Sequence, residues 1–185
     1  MNAAMQCEKY PRYTVEEYFG WKGDWELWNG IAIAMTPSPF GKHQRIVTRI
    51  SHCIMNAIES AAPGCGECEV FVELDWIVDT ETVVRPDVVV VCGEPVNGHL
   101  TRAPVVAVEV QSPSTGMNDR NFKFKLYEQQ AVANYILIDP DKRLLECFQL
   151  LDGVYQQVSS GVNQQIKLTL NQSCELQIDT SRIFG

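Results

Sequence analysis

Two runs rich in β-branched residues, Val88–Val91 and Val105–Val110, constrain this chain more than any other feature. Such runs, without polar alternation, read as strands buried on both faces. The chain therefore has to supply layers on both sides of a sheet. Each run carries a carboxylate: Asp87 opens the first, and Glu109 interrupts the second as Val-Ala-Val-Glu-Val. An ionised carboxylate in a buried strand is costly unless it is paired, protonated or bound to metal. For Glu109 alone, pairing with a buried Arg or Lys is as good a reading as a functional one. With Asp87 on the neighbouring run, a metal site becomes the better reading. Two carboxylates on adjacent strands suit Mg²⁺, which takes hard oxygen ligands and keeps waters.

The surrounding segments predict the other elements. Thr14 with Glu17 three residues on is a helix-start pattern, and that helix ends near Gly20–Gly23. Asn29-Gly30, between Trp25–Trp28 and Ile31–Met35, signals a tight hairpin. Pro37 and Pro39 break the chain. Ile46, Val47, Ile50, Ile54, Ala57 and Ile58 then recur at helical spacing over Lys42–Ala62, and Pro63-Gly64 stops the helix. Strands are predicted over Val70–Val78, Val83–Cys92, Pro104–Gln111 and Asn134–Ile138, with a helix over Asp119–Ala131. Further strand pieces follow at 144–150 and 155–159 around Asp152-Gly153, and between Ile166 and Ile178. The order helix, three strands, helix, strand gives an α/β chain with an α+β mixed sheet, in which the unit over 104–138 is a crossover.

With 185 residues, 45% hydrophobic and 21% charged, one compact domain is expected. It divides into an N-terminal helix and hairpin (1–40), a core (41–140) and C-terminal strands (141–185). No apolar run approaches the roughly 20 residues that span a bilayer, and the first ten residues carry no signal-type segment. A cytoplasmic protein without membrane contact is the expectation. Cys65 and Cys68 form one CxxC, while Cys7, Cys53, Cys92, Cys147 and Cys174 are scattered. No second pair or His pair stands at zinc-site spacing, so reduced thiols in a loop are expected rather than a disulfide framework or a zinc centre. The net charge of −8 opposes simple electrostatic binding of nucleic acid. It does not oppose a catalytic site in which a metal contacts phosphate.

Several ordered motifs carry a family resemblance. Pro86-Asp87 is followed by Val108-Glu109-Val110-Gln111-Ser112-Pro113-Ser114-Thr115. Then come Asp119-Arg120-x-x-Lys123-Phe124-x-x-Tyr127 and Tyr135-Ile136-Leu137-Ile138-Asp139. Upstream stand Glu26, Gly30, Met35, Pro37–Pro39 and His43. Over roughly residues 13 to 150 the chain resembles the PD-(D/E)xK nuclease superfamily, and within it the Uma-type restriction endonuclease family. The resemblance implies a restriction-endonuclease-like αβββαβ core and phosphodiester hydrolysis. It assigns Asp87 and Glu109 to the metal, and Lys123 to the helix lysine that this family has in place of a strand lysine. Glu26 and His43 match polar positions that complete the site. Gln111 departs from the superfamily pattern, which commonly has lysine there, and is carried as a candidate site residue.

Each secondary candidate has a plainer alternative. Glu26 could only solvate a hairpin strand, His43 could cap its helix, and Lys123 could pair with Asp119 one turn earlier. Tyr127, on the same helix face, reads as packing. Glu73 and Asp75 alternate with Val72, Leu74 and Trp76, as on an exposed face. Lys42, Arg45 and Arg49 lie at helical spacing, as on a solvated face, though they could touch phosphate. The expected function is a Mg²⁺-dependent DNA endonuclease, with Mn²⁺ as the other candidate ion and a homodimer as a candidate assembly. The alternative is a catalytically inactive nuclease-fold module that binds nucleic acid or a protein partner.

Overall fold

The computed structural model describes residues 11–35, 41–61, 65–112, 119–162, 164–171 and 174–185. The expected breaks at Pro37, Pro39 and Pro63-Gly64, and the motif residues Pro113–Thr115, lie outside them. So does the side chain of Asp119, and with it the expected alternative pairing of Lys123. The chain begins with α1 (Val15–Tyr18) and the hairpin β1 (Trp25–Trp28) and β2 (Ile31–Ala34). The long helix α2 (Gly41–Ser60) follows, then β3 (Cys68–Val72), β4 (Trp76–Asp79), β5 (Thr82–Val84), β6 (Val88–Cys92) and β7 (Val106–Val110). A π-helical turn, Asp119–Lys123, runs into α3 (Phe124–Gln129), and β8 (Asn134–Asp139) comes next. The chain ends in β9 (Leu144–Leu151), β10 (Val154–Gly161), β11 (Gln165–Asn171) and β12 (Cys174–Asp179).

The local signals act as chemistry predicts. Thr14 caps α1 and its backbone N–H donates to the Glu17 carboxylate at 2.8 Å, a reciprocal capping box. Asn29 and Gly30 both have positive φ, 47° and 81°, which a two-residue hairpin turn of the twist-compatible kind requires. Asp152 and Gly153 repeat this between β9 and β10, at φ 52° and 80°.

Six strands form the central sheet in the order β10-β9-β8-β7-β6-β3. β7 and β8 are parallel, joined through α3, and the other neighbours are antiparallel. Successive residues of β6 serve opposite layers, as a period of two demands. Val88 and Val90 pack with Ile46, Ile50 and Ile54 of α2 and with the β11–β12 hairpin. Val89 and Val91 pack with Trp76, Leu126, Tyr127 and Tyr135 on the other side. The expected double cover is therefore present, and α2, β3, β6, β7, α3 and β8 compose a restriction-endonuclease-like αβββαβ core in a mixed α+β sheet.

Two expected strands are each broken in two. Val70–Val78 divides at Glu73, whose φ of 53° lies outside strand geometry. Val83–Cys92 divides at Arg85-Pro86-Asp87, where proline has no N–H to give the ladder. The detached pieces β4 and β5 join the N-terminal hairpin in a separate sheet, β2-β1-β5-β4. Asp75 thereby turns inward, against the expectation of an exposed face: it is buried, with Arg85 Nε at 2.6 Å and the Tyr18 hydroxyl at 3.1 Å. Burial and the Asp75 charge push the Tyr18 phenol up to about 12, so it stays a donor. Glu73 remains exposed.

The cysteine expectation is corrected as well. Cys65 is bonded to Cys174 and Cys68 to Cys92. The CxxC thiols find partners 109 and 24 residues away, separations that only the folded topology closes. Cys53 and Cys147 are free. Among the described residues, no helix is long and apolar enough to cross a membrane.

Truncating the α2 face should weaken the whole structure. Ile50 is fully buried between α2 and the sheet, so Ile50→Ala is expected to cost ~2–5 kcal/mol. Met55→Ala, on the exposed face of the same helix, should change stability by less than about 0.5 kcal/mol. Urea unfolding of both variants measures the difference.

Candidate active site

The β6–β7 register pairs Val88 with Val108. Continuing it by one residue sets Asp87 opposite Glu109, on the face that carries Val89 and Ala107. Asp87 Oδ2 accepts a hydrogen bond from the Val110 N–H at 2.6 Å and lies 3.3 Å from His43 Nε2, in the first turn of α2. Glu109 Oε1 accepts from the Tyr127 hydroxyl at 2.6 Å and lies 3.0 Å from Lys123 Nζ. The same ammonium lies 3.0 Å from Glu26 Oε1, on β1. Glu26 is further held by the Arg85 N–H at 2.6 Å and by the Trp28 indole N–H at 3.1 Å.

Local sequence explains these placements. Lys123 and Tyr127 are four residues apart, hence on one helix face, and both reach Glu109. Lys123 closes the π-helical turn, a distortion frequent at functional sites. Trp28 stacks on Phe122, with ring centroids 4.3 Å apart and planes 13° from parallel, and joins β1 to that turn. Gln111, at the end of β7, is buried, and its backbone N–H donates to the Ile138 carbonyl at 2.8 Å.

Charge is concentrated here. Glu26, Glu109 and Lys123 are only 4%, 3% and 5% exposed. Among the described residues, the buried Lys123 ammonium contacts two buried carboxylates, Glu26 and Glu109, and Asp87 adds a third acid nearby. Burial alone would lower the His43 pKa. The Asp87 hydrogen bond and charge, with Glu73, outweigh it, and the net shift is upward. His43 Nδ1 is buried and has no hydrogen-bond partner among the described residues. Burial first, then the Glu109 charge, raises the Tyr127 phenol well above its usual value, so it remains a neutral donor to that carboxylate.

The structure thus brings together Glu26, His43, Asp87, Glu109 and Lys123, with Gln111 at the end of the same strand. The plainer reading of Glu26 as a solvated strand residue is corrected. Lys123 lies on the site side of its helix, whereas Lys125 is exposed. In sequence Tyr127 reads as packing, yet its hydroxyl donates to Glu109; its spacing of four from Lys123 is the available signal. Trp28 and the backbone of Arg85 also hold the site, and backbone groups leave no trace in sequence. Lys42 is paired with Asp141 at 2.6 Å, and Arg49 donates to the Ile183 carbonyl at 3.4 Å. Arg45 is exposed.

The donor set fits a hard divalent cation. Asp87 and Glu109 face each other across a strand pair and offer hard oxygen donors. Among the described residues no group of three or more His, Cys, Asp and Glu forms a metal cage. Mg²⁺ does not need one, because it is commonly held by one or two carboxylates with waters and substrate phosphate. A separate cleft of about 600 Å³, lined by His52, Lys167, Glu175 and Arg182 among others, contains none of these residues.

Comparison with known proteins agrees with this fold. A family model, Uma2, described as "Putative restriction endonuclease", matches residues 8–180. An uncharacterized protein of Synechocystis sp., slr1290, is 30% identical over 137 residues, 70% of each chain. A crystal structure from Anabaena variabilis, described as "a putative nuclease belonging to DUF820", superposes with a TM-score of 0.72 at 17% identity. That superposition covers 93% of this chain and 97% of the other.

Removing the shared ammonium should expose the charge imbalance. Lys123→Ala leaves Glu26 and Glu109 buried without their cation, at an expected cost of ~3–5 kcal/mol. Lys125→Ala should fall within about 0.5 kcal/mol of wild type. Denaturant unfolding in EDTA compares them, and equal losses would remove Lys123 from the account of the site's stability.

Proposed function

Because the chain belongs to the Uma2 family of restriction endonuclease-like proteins, we propose that it hydrolyses phosphodiester bonds of DNA with Mg²⁺ or Mn²⁺ held by Asp87 and Glu109. The observation that supports this most is the facing carboxylate pair, with one buried lysine beside it. When bound there, the ion polarises the scissile phosphate and lowers the pKa of an attacking water.

The protein groups have distinct tasks in this reading. Asp87 is held in place by the Val110 N–H, so its second oxygen is left to bind the ion. Glu109 shares its charge between the ion and Lys123. The Lys123 ammonium offsets negative charge that builds on the phosphoryl oxygens and favours the deprotonated form of a neighbouring water. Glu26, satisfied by Arg85, Trp28 and Lys123, acts as a positioning residue that holds the ammonium. Tyr127 orients Glu109 as an outer partner does for a metal ligand. His43, with Nε2 at 3.3 Å from Asp87 Oδ2, helps hold that carboxylate in place. Gln111 offers an uncharged amide on the side of the strand that carries Glu109.

Incubation of plasmid, linear duplex, single-stranded DNA and RNA with Mg²⁺, Mn²⁺ or EDTA tests the proposal. Cleavage of DNA with either ion and none in EDTA is expected. Glu109→Gln and Asp87→Asn should each lower the rate by on the order of 10²-fold or more. Lys123→Ala should lose roughly 10²–10³-fold, while Lys125→Ala retains nearly all activity. A folded protein that binds neither ion and cuts none of these substrates would favour the inactive binding module instead.

Tyr127→Phe separates positioning from folding. The ring stays in the core, and only the hydrogen bond to Glu109 is lost. A reduction of about 10–100-fold, with weakened Mn²⁺ affinity by calorimetry, is expected. Unchanged affinity and rate would return Tyr127 to packing alone.

A further inference from the structure

Four cysteines from three parts of the chain meet at the end of β6 distant from Asp87. Cys65 and Cys68 lie on one tight turn, in which the Cys68 N–H donates to the Cys65 carbonyl at 3.1 Å. The Gly93 N–H donates to the Glu67 carbonyl at 2.9 Å and ties the turn to the end of β6. Cys92 is the direct cross-strand neighbour of Cys68, with Cα atoms 3.9 Å apart. Cys174, at the head of β12, brings its Cα within 5.0 Å of that of Cys65. Cys65, Cys68 and Cys174 are buried in one apolar cluster and Cys92 packs against it.

We propose that this cluster is a zinc site when reduced: Cys65, Cys68, Cys92 and Cys174 bind one Zn²⁺ as four thiolates, and the two disulfides are its oxidised form. The CxxC turn is half of a structural zinc site, and the fold provides the second half from Cys92 and Cys174, which the sequence keeps far apart. In the disulfide form the sulfurs are bonded to one another, and no metal cluster exists among the described residues. Two equivalents of a dithiol reductant supply four electrons and four protons, open both S–S bonds and become disulfides themselves. Four thiols then bind Zn²⁺ and release four protons. In the reverse direction, two molecules of hydrogen peroxide take four electrons from the tetrathiolate, giving two disulfides, free Zn²⁺ and four hydroxides.

This centre would be independent of the carboxylate site. Soft thiolates favour Zn²⁺, and carboxylates with water favour Mg²⁺ or Mn²⁺. Asp87 and Cys92 are five residues apart along one strand, roughly 16 Å at strand rise.

The full-length protein, reduced and freed of metal, is reconstituted with Zn²⁺ or Co²⁺ under argon. About one zinc per chain and the sulfur-to-cobalt charge-transfer absorption of a tetrathiolate are expected. Cys92→Ser and Cys174→Ser should lose that absorption. Cys53→Ser, Cys147→Ser and Glu109→Gln should keep it. X-ray absorption on zinc-loaded wild type gives a reading that needs no variant: four sulfur neighbours near ~2.3 Å are expected. Peroxide should then release the zinc and lower the chain mass by four hydrogens relative to the reduced apoprotein. Reduced wild type that takes up no zinc, a shell with two or fewer sulfurs, or loss of the metal in Glu109→Gln would each overturn the proposal.

Discussion

The Lys123 ammonium lies 3.0 Å from carboxylates that arrive on two different sheets, Glu26 on β1 and Glu109 on β7. Burying three charges opposes folding unless their remaining hydrogen-bonding capacity is met. Here it is met by neighbours already fixed for other reasons: Tyr127 on Glu109, and the Arg85 N–H and Trp28 indole on Glu26. The N-terminal sheet is thereby clasped to the central one through a polar contact as well as through apolar packing. Asp87, with His43 Nε2 at 3.3 Å, stands beside this group.

Most of the core was legible because its signals are local and periodic. The valine runs announce a sheet covered on both sides, and β6 delivers its side chains alternately to two clusters. Asn29-Gly30 and the Thr14–Glu17 box encode their own backbone geometry. Asp87, Glu109 and Lys123 were legible because each is a charge where apolar periodicity leaves no room for one, or matches an ordered motif. The rest depends on contacts between distant segments. The alternation around Glu73 looks like continuous strand until a positive φ interrupts it, and no residue type there demands that conformation. Asp75 consequently reads as exposed. Cys92 and Cys174 read as isolated because sequence distance conceals what β-pairing brings together.

The site owes its form to two interrupted strands. Glu73 and Asp87 stand at the two breaks, and the Glu73 N–H donates to the Asp87 carbonyl at 3.1 Å. Both strands therefore leave the central sheet at one level. Past that level they continue as β4 and β5 into the N-terminal sheet. Asp87 stands immediately before β6 rather than in the middle of a strand, which leaves its side chain space beside the sheet end. Arg85, two residues before it, is released from the ladder. Its N–H binds Glu26, and its side chain joins Asp75 and Asp24. Unbroken strands would keep that N–H within a sheet and leave Glu26 without its closest donor. Pro86, which cannot extend the ladder, stands between these two roles. The proline next to Asp87 in the motif thus has a physical purpose in this chain: it separates one sheet from the next and leaves the acid at the break between them.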